Sequence, residues 1–101
     1  MTMEEKDLID CSVVLPKNVV YREFAHETVI LNLDTGKYHG INPTAARMLD
    51  VLQQSATVRA AAESLASEYG QPVERIETDL LAFCGGLIER GLISVVERGD
   101  G

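Results

Sequence analysis

The sequence predicts an α+β domain in which a three-stranded antiparallel sheet is followed by three helices. Three observations lead to this prediction. The first part of the chain carries β-branched and aromatic runs separated by short turns. In the second part, apolar residues recur every three or four positions. The change occurs at Asn42-Pro43, where Asn suits a helix N-cap and Pro suits the first helical position.

The three strands are predicted at residues 19–24, 28–33 and 37–41. A short connection joins the first two, both rich in β-branched residues. Residues 34–37 have the composition of a tight hairpin, with Gly36 at the position that requires a positive φ. The third strand therefore returns beside the second and ends the sheet.

The helices are predicted at residues 43–54, 58–69 and from Gln71-Pro72 to Arg90. The third is the longest, and its apolar residues define one face that is expected in the core. That face comprises Val73, Ile76, Leu80, Phe83, Cys84 and Leu87. A flank roughly 60–140° away from Leu80 widens the apolar surface on one side. This flank comprises Glu77, Leu81, Gly85 and Ile88.

The sequence divides into one domain, residues 18–96, and two terminal segments. Residues 1–17 are predicted to form a flexible N-terminal tail, although residues 13–16 could pack as an extra edge strand. Residues 97–101 are predicted to form a flexible C-terminal tail. Just before it, residues 92–96 could pack as a strand or wing.

Composition excludes several classes of function. The 101 residues carry 9 Lys and Arg against 16 Asp and Glu, a net charge of -7, which disfavours binding to nucleic acid. No apolar run approaches the roughly 20 residues of a membrane span, and the charged N-terminus does not resemble a signal peptide. We therefore expect a cytoplasmic protein without membrane partners, in which Cys11 and Cys84 are reduced thiols.

Residues suited to catalysis or metal binding are scarce. His26 and His39 are the two histidines, and neither lies at ligand spacing from another His or Cys. The sequence has no phosphate-binding loop, dinucleotide-binding or hydrolase motif. These observations predict a non-enzyme that needs no metal or cofactor.

Two kinds of binding module remain. A helix-turn-helix reader of DNA matches the outline, but the charges of the third helix are four acidic to two basic. A peptide-binding module fits better, because a small sheet offers an uncovered edge to an added strand. The predicted peptide-binding residues are Lys37, Tyr38, His39, Gly40 and Ile41 on the third strand and Glu77, Leu81, Cys84, Gly85 and Ile88 on the third helix.

Two features of the third helix leave alternatives open. Leu81 and Ile88 either line a groove beside the third strand or extend the core, and the residues favour neither. Gly85-Gly86 costs a helix about 1 kcal/mol per Gly relative to Ala. Close approach of another backbone would explain this pair, and so would a kink.

The motifs in residues 20–23, 31–38 and 40–45, followed by those in 76–83 and 87–93, resemble the PqqD family. The resemblance implies a fold similar to a winged helix-turn-helix with three N-terminal strands. It also implies binding of a precursor-peptide leader as an added strand, between the third strand and the third helix. Gly85-Gly86 departs from the family pattern on that helix.

Within the family, the Leu-Asn-Leu-Asp-Thr-Gly hairpin followed by Asn-Pro-Thr-Ala is most similar to the stand-alone lasso-peptide type. The implied partners are the leader of a ribosomally synthesised precursor, a leader peptidase and a macrocyclase. The alternatives are a DNA-binding winged-helix regulator and a PqqD-type chaperone for a radical SAM enzyme in pyrroloquinoline quinone biosynthesis. Because the sheet edge could also pair with a second copy, a monomer or a weak homodimer is expected.

Overall fold

A computed structural model describes residues 8–97, and its elements follow the predicted order. They are β1 (Cys11–Val14), β2 (Val19–Glu23), β3 (Thr28–Asn32), β4 (Tyr38–Ile41), α1 (Pro43–Gln54), α2 (Val58–Tyr69), α3 (Val73–Glu89) and β5 (Ser94–Glu97). The antiparallel sheet β2-β3-β4 followed by three helices confirms the predicted α+β fold. The similarity to a winged helix-turn-helix stays a prediction.

The β3–β4 hairpin is closed by Asn32 as much as by its glycine. The backbone N–H of Asn32 donates to the carbonyl of Lys37 at 2.8 Å. The side-chain oxygen of Asn32 accepts from the N–H groups of Asp34 and Thr35 at 2.9 and 3.2 Å. Gly36 has a φ of 75°, as the turn prediction requires. These bonds fix the register with which β4 returns beside β3.

Caps define the helix boundaries that the sequence predicted. The side chain of Asn42 accepts from the N–H of Ala45 at 2.8 Å and so begins α1. Thr57 caps α2 in the same way, accepting from Ala60 at 3.0 Å. At the other end of α2, Gly70 adopts a left-handed conformation. None of the helices within residues 8–97 is both long enough and apolar enough to cross a bilayer.

The core lies between one face of the β2-β3-β4 sheet and the three helices. β3 contributes Ile30, which is fully buried. The core face predicted for α3 is largely confirmed: Ile76, Leu80, Cys84 and Leu87 are buried. Val73 and Phe83 are half-buried and pack against this cluster. Phe83 therefore keeps part of its surface exposed, at the side of the helix that faces β4.

The segment expected to form a flexible tail, residues 1–17, contains a strand in the part that the structure describes. β1 pairs with β5 in an antiparallel two-stranded sheet, so an extra strand is present at Cys11–Val14, sharing only Val13 and Val14 with the expected residues 13–16, and a strand follows α3 as expected. The pairing partner lies about 80 residues away in the chain, so local patterning could not predict it. Residues 1–7 and 98–101, predicted as parts of the two tails, lie outside the described residues. The side chains of Leu8, Ile9, Cys11 and Val13 are buried in the core.

Candidate functional site

The outer edge of β4 has no strand partner within residues 8–97. In an antiparallel pair, residues alternate between bonding the neighbouring strand and pointing their peptide groups away from it. The bond from Asn32 to Lys37 sets this alternation. His39 and Ile41 consequently bond to β3, whereas the N–H and C=O groups of Tyr38 and Gly40 face outwards. The free edge therefore offers the peptide groups of these two residues to another strand.

The side chains of β4 also divide between two faces. His39 lies opposite the fully buried Ile30, so His39 and Ile41 point to the core side of the sheet. Tyr38 lies opposite Leu31 on the outer face and is 68% exposed. An added strand would divide its own side chains between the same two faces.

A groove separates the β4 edge from α3 and encloses a cavity of about 470 Å³. All four residues of β4 line it. The other wall is formed by one side of α3, where apolar and small residues precede a basic one at the C-terminal end. The helical residues of this wall are Ala82, Phe83, Gly86, Leu87 and Arg90. The groove thus combines a free strand edge with a largely apolar helix surface.

The helix wall lies on a different side of α3 from the flank predicted to bind the peptide, whose role stays a prediction. Phe83 and Gly86 lie roughly 60–120° from Leu80, on the side opposite to the predicted flank. Periodicity identifies the core-facing stripe of a helix, but it does not tell which of the two flanks meets a given strand. Leu81 and Ile88 do not line the cavity.

The predicted flank has other surroundings. Glu77 approaches Arg59 of α2, with 3.9 Å between a carboxylate oxygen and a guanidinium nitrogen. Leu81 is half-buried against the core, and Ile88 is 40% exposed. A Cβ atom added at Gly85 would meet no atom within 4 Å. This side of α3 therefore turns partly towards α2 and partly away from the groove.

Cys84 and Lys37 also lie apart from the groove lining. Cys84 is fully buried in the core, and burial raises the pKa of its thiol to about 12. The thiol is therefore neutral and inaccessible near neutral pH. Lys37 belongs to the hairpin, where its N–H donates to the hydroxyl of Thr35 at 3.2 Å. Of the ten residues predicted for the site, the structure brings Tyr38, His39, Gly40 and Ile41 together at the groove.

Two more cavities border the same sheet. One, of about 670 Å³, lies between the β2–β3 turn and the start of α1. Its Arg47 is bound at 2.7 Å to Glu68 and at 2.8 Å to Asp50, so this cation is already paired. The other, of about 400 Å³, lies on the outer face of the sheet and is lined mainly by two exposed aromatic residues and by the less exposed Val29 and Leu31. Of these three cavities, the groove beside α3 is the one that all four residues of β4 line.

From the sequence, Phe83 and Leu87 are expected only in the core, and Ala82 and Arg90 are not expected in the groove. Their four-residue spacing with Gly86 places Ala82, Gly86 and Arg90 on one line along α3. The sequence alone does not distinguish this line from a solvated face of the helix. Among the described residues, no cluster of His, Cys, Asp and Glu is arranged to hold a metal ion.

The comparison with known families agrees with this architecture. Residues 27–93 match the family described as Coenzyme PQQ synthesis protein D (PqqD). The chain belongs to the PqqD family. The match begins just before β3 and ends just after α3, so it includes both walls of the groove. No curated protein gave a significant sequence match to this PqqD-family chain.

Two solved structures have the same fold as this PqqD-family chain. The first is described as "Lasso peptide synthetase B1 complexed with the leader peptide", with a TM-score of 0.74 and 25% identity. The match covers 82% of this chain and 98% of the chain in that structure. The second is "TbiB1 in Complex with the TbiA(beta) Leader Peptide", with a TM-score of 0.71 and 25% identity, covering 79% and 93%. Both similar proteins are therefore described with a bound leader peptide.

Proposed function

We propose that this chain binds the leader of a ribosomally synthesised precursor peptide, as a strand added to β4 in the groove beside α3. The observation that carries the proposal is the free edge at Tyr38 and Gly40 opposite a largely apolar helix wall. An added strand satisfies outward peptide groups, and its alternate side chains reach pockets beside the edge. The leader complexes of two similar proteins support this assignment.

In this role the chain is a binding protein and not an enzyme. It presents the leader to maturation enzymes in the cytoplasm, namely a leader peptidase and a macrocyclase of lasso peptide biosynthesis. The similar structure described as part of a lasso peptide synthetase supports this pathway. The family description supports a second candidate, a peptide chaperone in pyrroloquinoline quinone synthesis. The two candidates use the same groove and differ in the precursor.

The charge distribution disfavours a DNA-binding role for the same fold. The net charge of -7 and the acidic residues Glu74, Asp79 and Glu89 on α3 would repel a phosphate backbone. A titration with salt separates the two functions. Leader binding through backbone bonds and apolar contacts should change little with salt, whereas binding to duplex DNA should weaken steeply.

The free edge is tested by Gly40→Pro. Proline removes the outward N–H and places its ring where the added strand would pair, so leader affinity should fall at least about tenfold. The probe is a fluorescein-labelled synthetic peptide with the N-terminal sequence of a short precursor, which is sought among the reading frames next to this chain's gene. Anisotropy measures its affinity, and circular dichroism verifies that the variant is folded.

Gly40→Ala is the matched control. Its Cβ would lie 3.7 Å from a carboxylate oxygen of Glu27, an ordinary contact, and its N–H is kept, so affinity should stay within about twofold. His39→Pro should instead destabilise the sheet, because the N–H of His39 bonds to β3. Wild-type affinity in a folded Gly40→Pro variant would refute strand addition at this edge.

A further inference from the structure

The two glycines inside α3 are not required by the packing of the chain itself. Neither has a positive φ. A Cβ atom at Gly85 would meet nothing within 4 Å, and one at Gly86 would meet only the tip of Arg90, at 3.8 Å. Glycine weakens a helix interior, and no contact within the chain requires it at these positions. Close approach of another molecule to the helix would explain a glycine here.

The two positions face different surroundings. Gly86 lines the groove opposite β4, whereas Gly85 does not. Along α3, Gly86 lies between Phe83 and Leu87, which also form the groove wall. The missing side chain therefore leaves a notch in the helix wall of the groove, and the Arg90 guanidinium lies 3.8 Å from where a Cβ atom would be.

We propose that Gly86 determines which leader this chain accepts, because its notch admits one bulky apolar side chain of a strand paired with β4. The proposal rests on the leader binding proposed above and adds the position that selects the sequence. Every second residue of an added strand points towards α3, so one leader position meets Gly86. On the helix side of the groove, Ala82, Phe83 and Leu87 favour an apolar side chain next to Gly86, and the mobile guanidinium of Arg90 lies at the edge of this space.

The notch is tested by filling it. Gly86→Leu should fold, because its side chain would extend into the groove and the atom that lies near its Cβ, outside the backbone of α3, is the mobile end of an Arg side chain. It should lower the affinity for the labelled leader peptide at least about tenfold, because the Leu side chain would occupy the space that the leader side chain needs. Gly85→Leu is the matched control: the same change, one residue away and outside the groove, should alter affinity by less than about threefold. Thermal melts verify that both variants fold.

A second measurement connects the notch to one leader residue. An alanine scan of the leader should identify one apolar position at which truncation weakens binding to the wild-type chain about tenfold or more. The same truncated peptide should bind Gly86→Leu with nearly the affinity that it has for the wild-type chain. This coupling is the expected signature of two side chains that compete for one space.

The outcomes distinguish this proposal from the one on which it rests. If Gly40→Pro abolishes binding and Gly86→Leu binds the leader as the wild type does, the strand-addition site stands and the notch is refuted. If the truncations and Gly86→Leu are strictly additive, the notch is also refuted. If the wild-type chain does not bind the leader, or Gly40→Pro has no effect, both proposals fail. Should Gly86→Leu melt early, Gly86→Ala against Gly85→Ala gives the same comparison with a smaller expected loss, about threefold.

Discussion

The two flanks of α3 are built from similar residue types and yet lie in different environments. One flank carries Phe83 and Gly86 and forms the wall of a groove opposite a free strand edge. The other carries Leu81 and Ile88 and extends from the core towards α2 and solvent. The comparison teaches that an apolar flank on a helix does not reveal whether it is a binding surface. The position of the neighbouring strand decides this.

The largest expected effect concerns Cys84, which lies between the flanks in the core. Because burial raises the pKa of this thiol to about 12, it is almost fully protonated at pH 8. Labelling of Cys84 by a thiol reagent should be at least about 100-fold slower in the native protein than in denaturant. Mass spectrometry of the labelled peptide identifies the site. Rapid native labelling that the leader blocks would place Cys84 in the groove instead.

The raised pKa of Cys84 also predicts the direction of a pH effect. A thiol whose pKa is higher in the folded state binds its proton more tightly there, so its contribution to stability is complete below about pH 8.5. That contribution is lost as the pH rises from there towards the folded-state pKa of about 12. The melting temperature should fall over this range, and Cys84→Ala should reduce the fall. An equal decline in Cys84→Ala would contradict the assignment to this thiol.

Phe83→Ala and Leu81→Ala compare the flanks directly. Both side chains are half-buried and pack against the core, so both variants should lose about 1–3 kcal/mol of stability. Phe83→Ala alone should also weaken leader binding, by about tenfold, because it removes part of the groove wall. Leader affinity is measured below the melting transition of each variant. Equal affinity losses would show that the groove reaches both flanks.

The smallest expected effect is that of Glu77→Lys. Glu77 and Arg59 form a partly exposed pair with 3.9 Å between charged atoms, and such pairs contribute up to about 1 kcal/mol. Stability should therefore fall slightly, and leader affinity and its salt dependence should stay unchanged within about twofold. The reference is Glu74→Lys, an exposed change in the first turn of the same helix. A large change in the association rate of the leader for Glu77→Lys alone would show that this flank belongs to the binding surface.

Much of the fold could be predicted because local chemistry defines it. Asn42 and Thr57 cap α1 and α2, and Gly36 and Gly70 adopt the left-handed conformations expected at a turn and a helix end. These features act within four or five residues of the chain, so they are visible in the sequence. The pairing of β1 with β5 could not be predicted from the sequence, because it joins segments that only the folded core brings together.

The candidate site was predicted in part. The strand edge at Tyr38 and Gly40 followed from the number and order of the strands, and the hairpin register then determined which peptide groups face outwards. The helix wall of the groove could not be predicted from the sequence. Phe83 was assigned to the core alone, although it is only half-buried and faces the groove.

By itself, the sequence determined the order of elements, the core stripe of α3 and the position of β4 at one edge of the sheet. These properties follow from periodicity, capping and turn chemistry, which depend on neighbours along the chain. The tertiary structure alone decided that β1 belongs to the core and that Gly86, not Leu81, meets the groove. A helix has two equivalent flanks beside its core stripe, and only packing against the sheet makes them different.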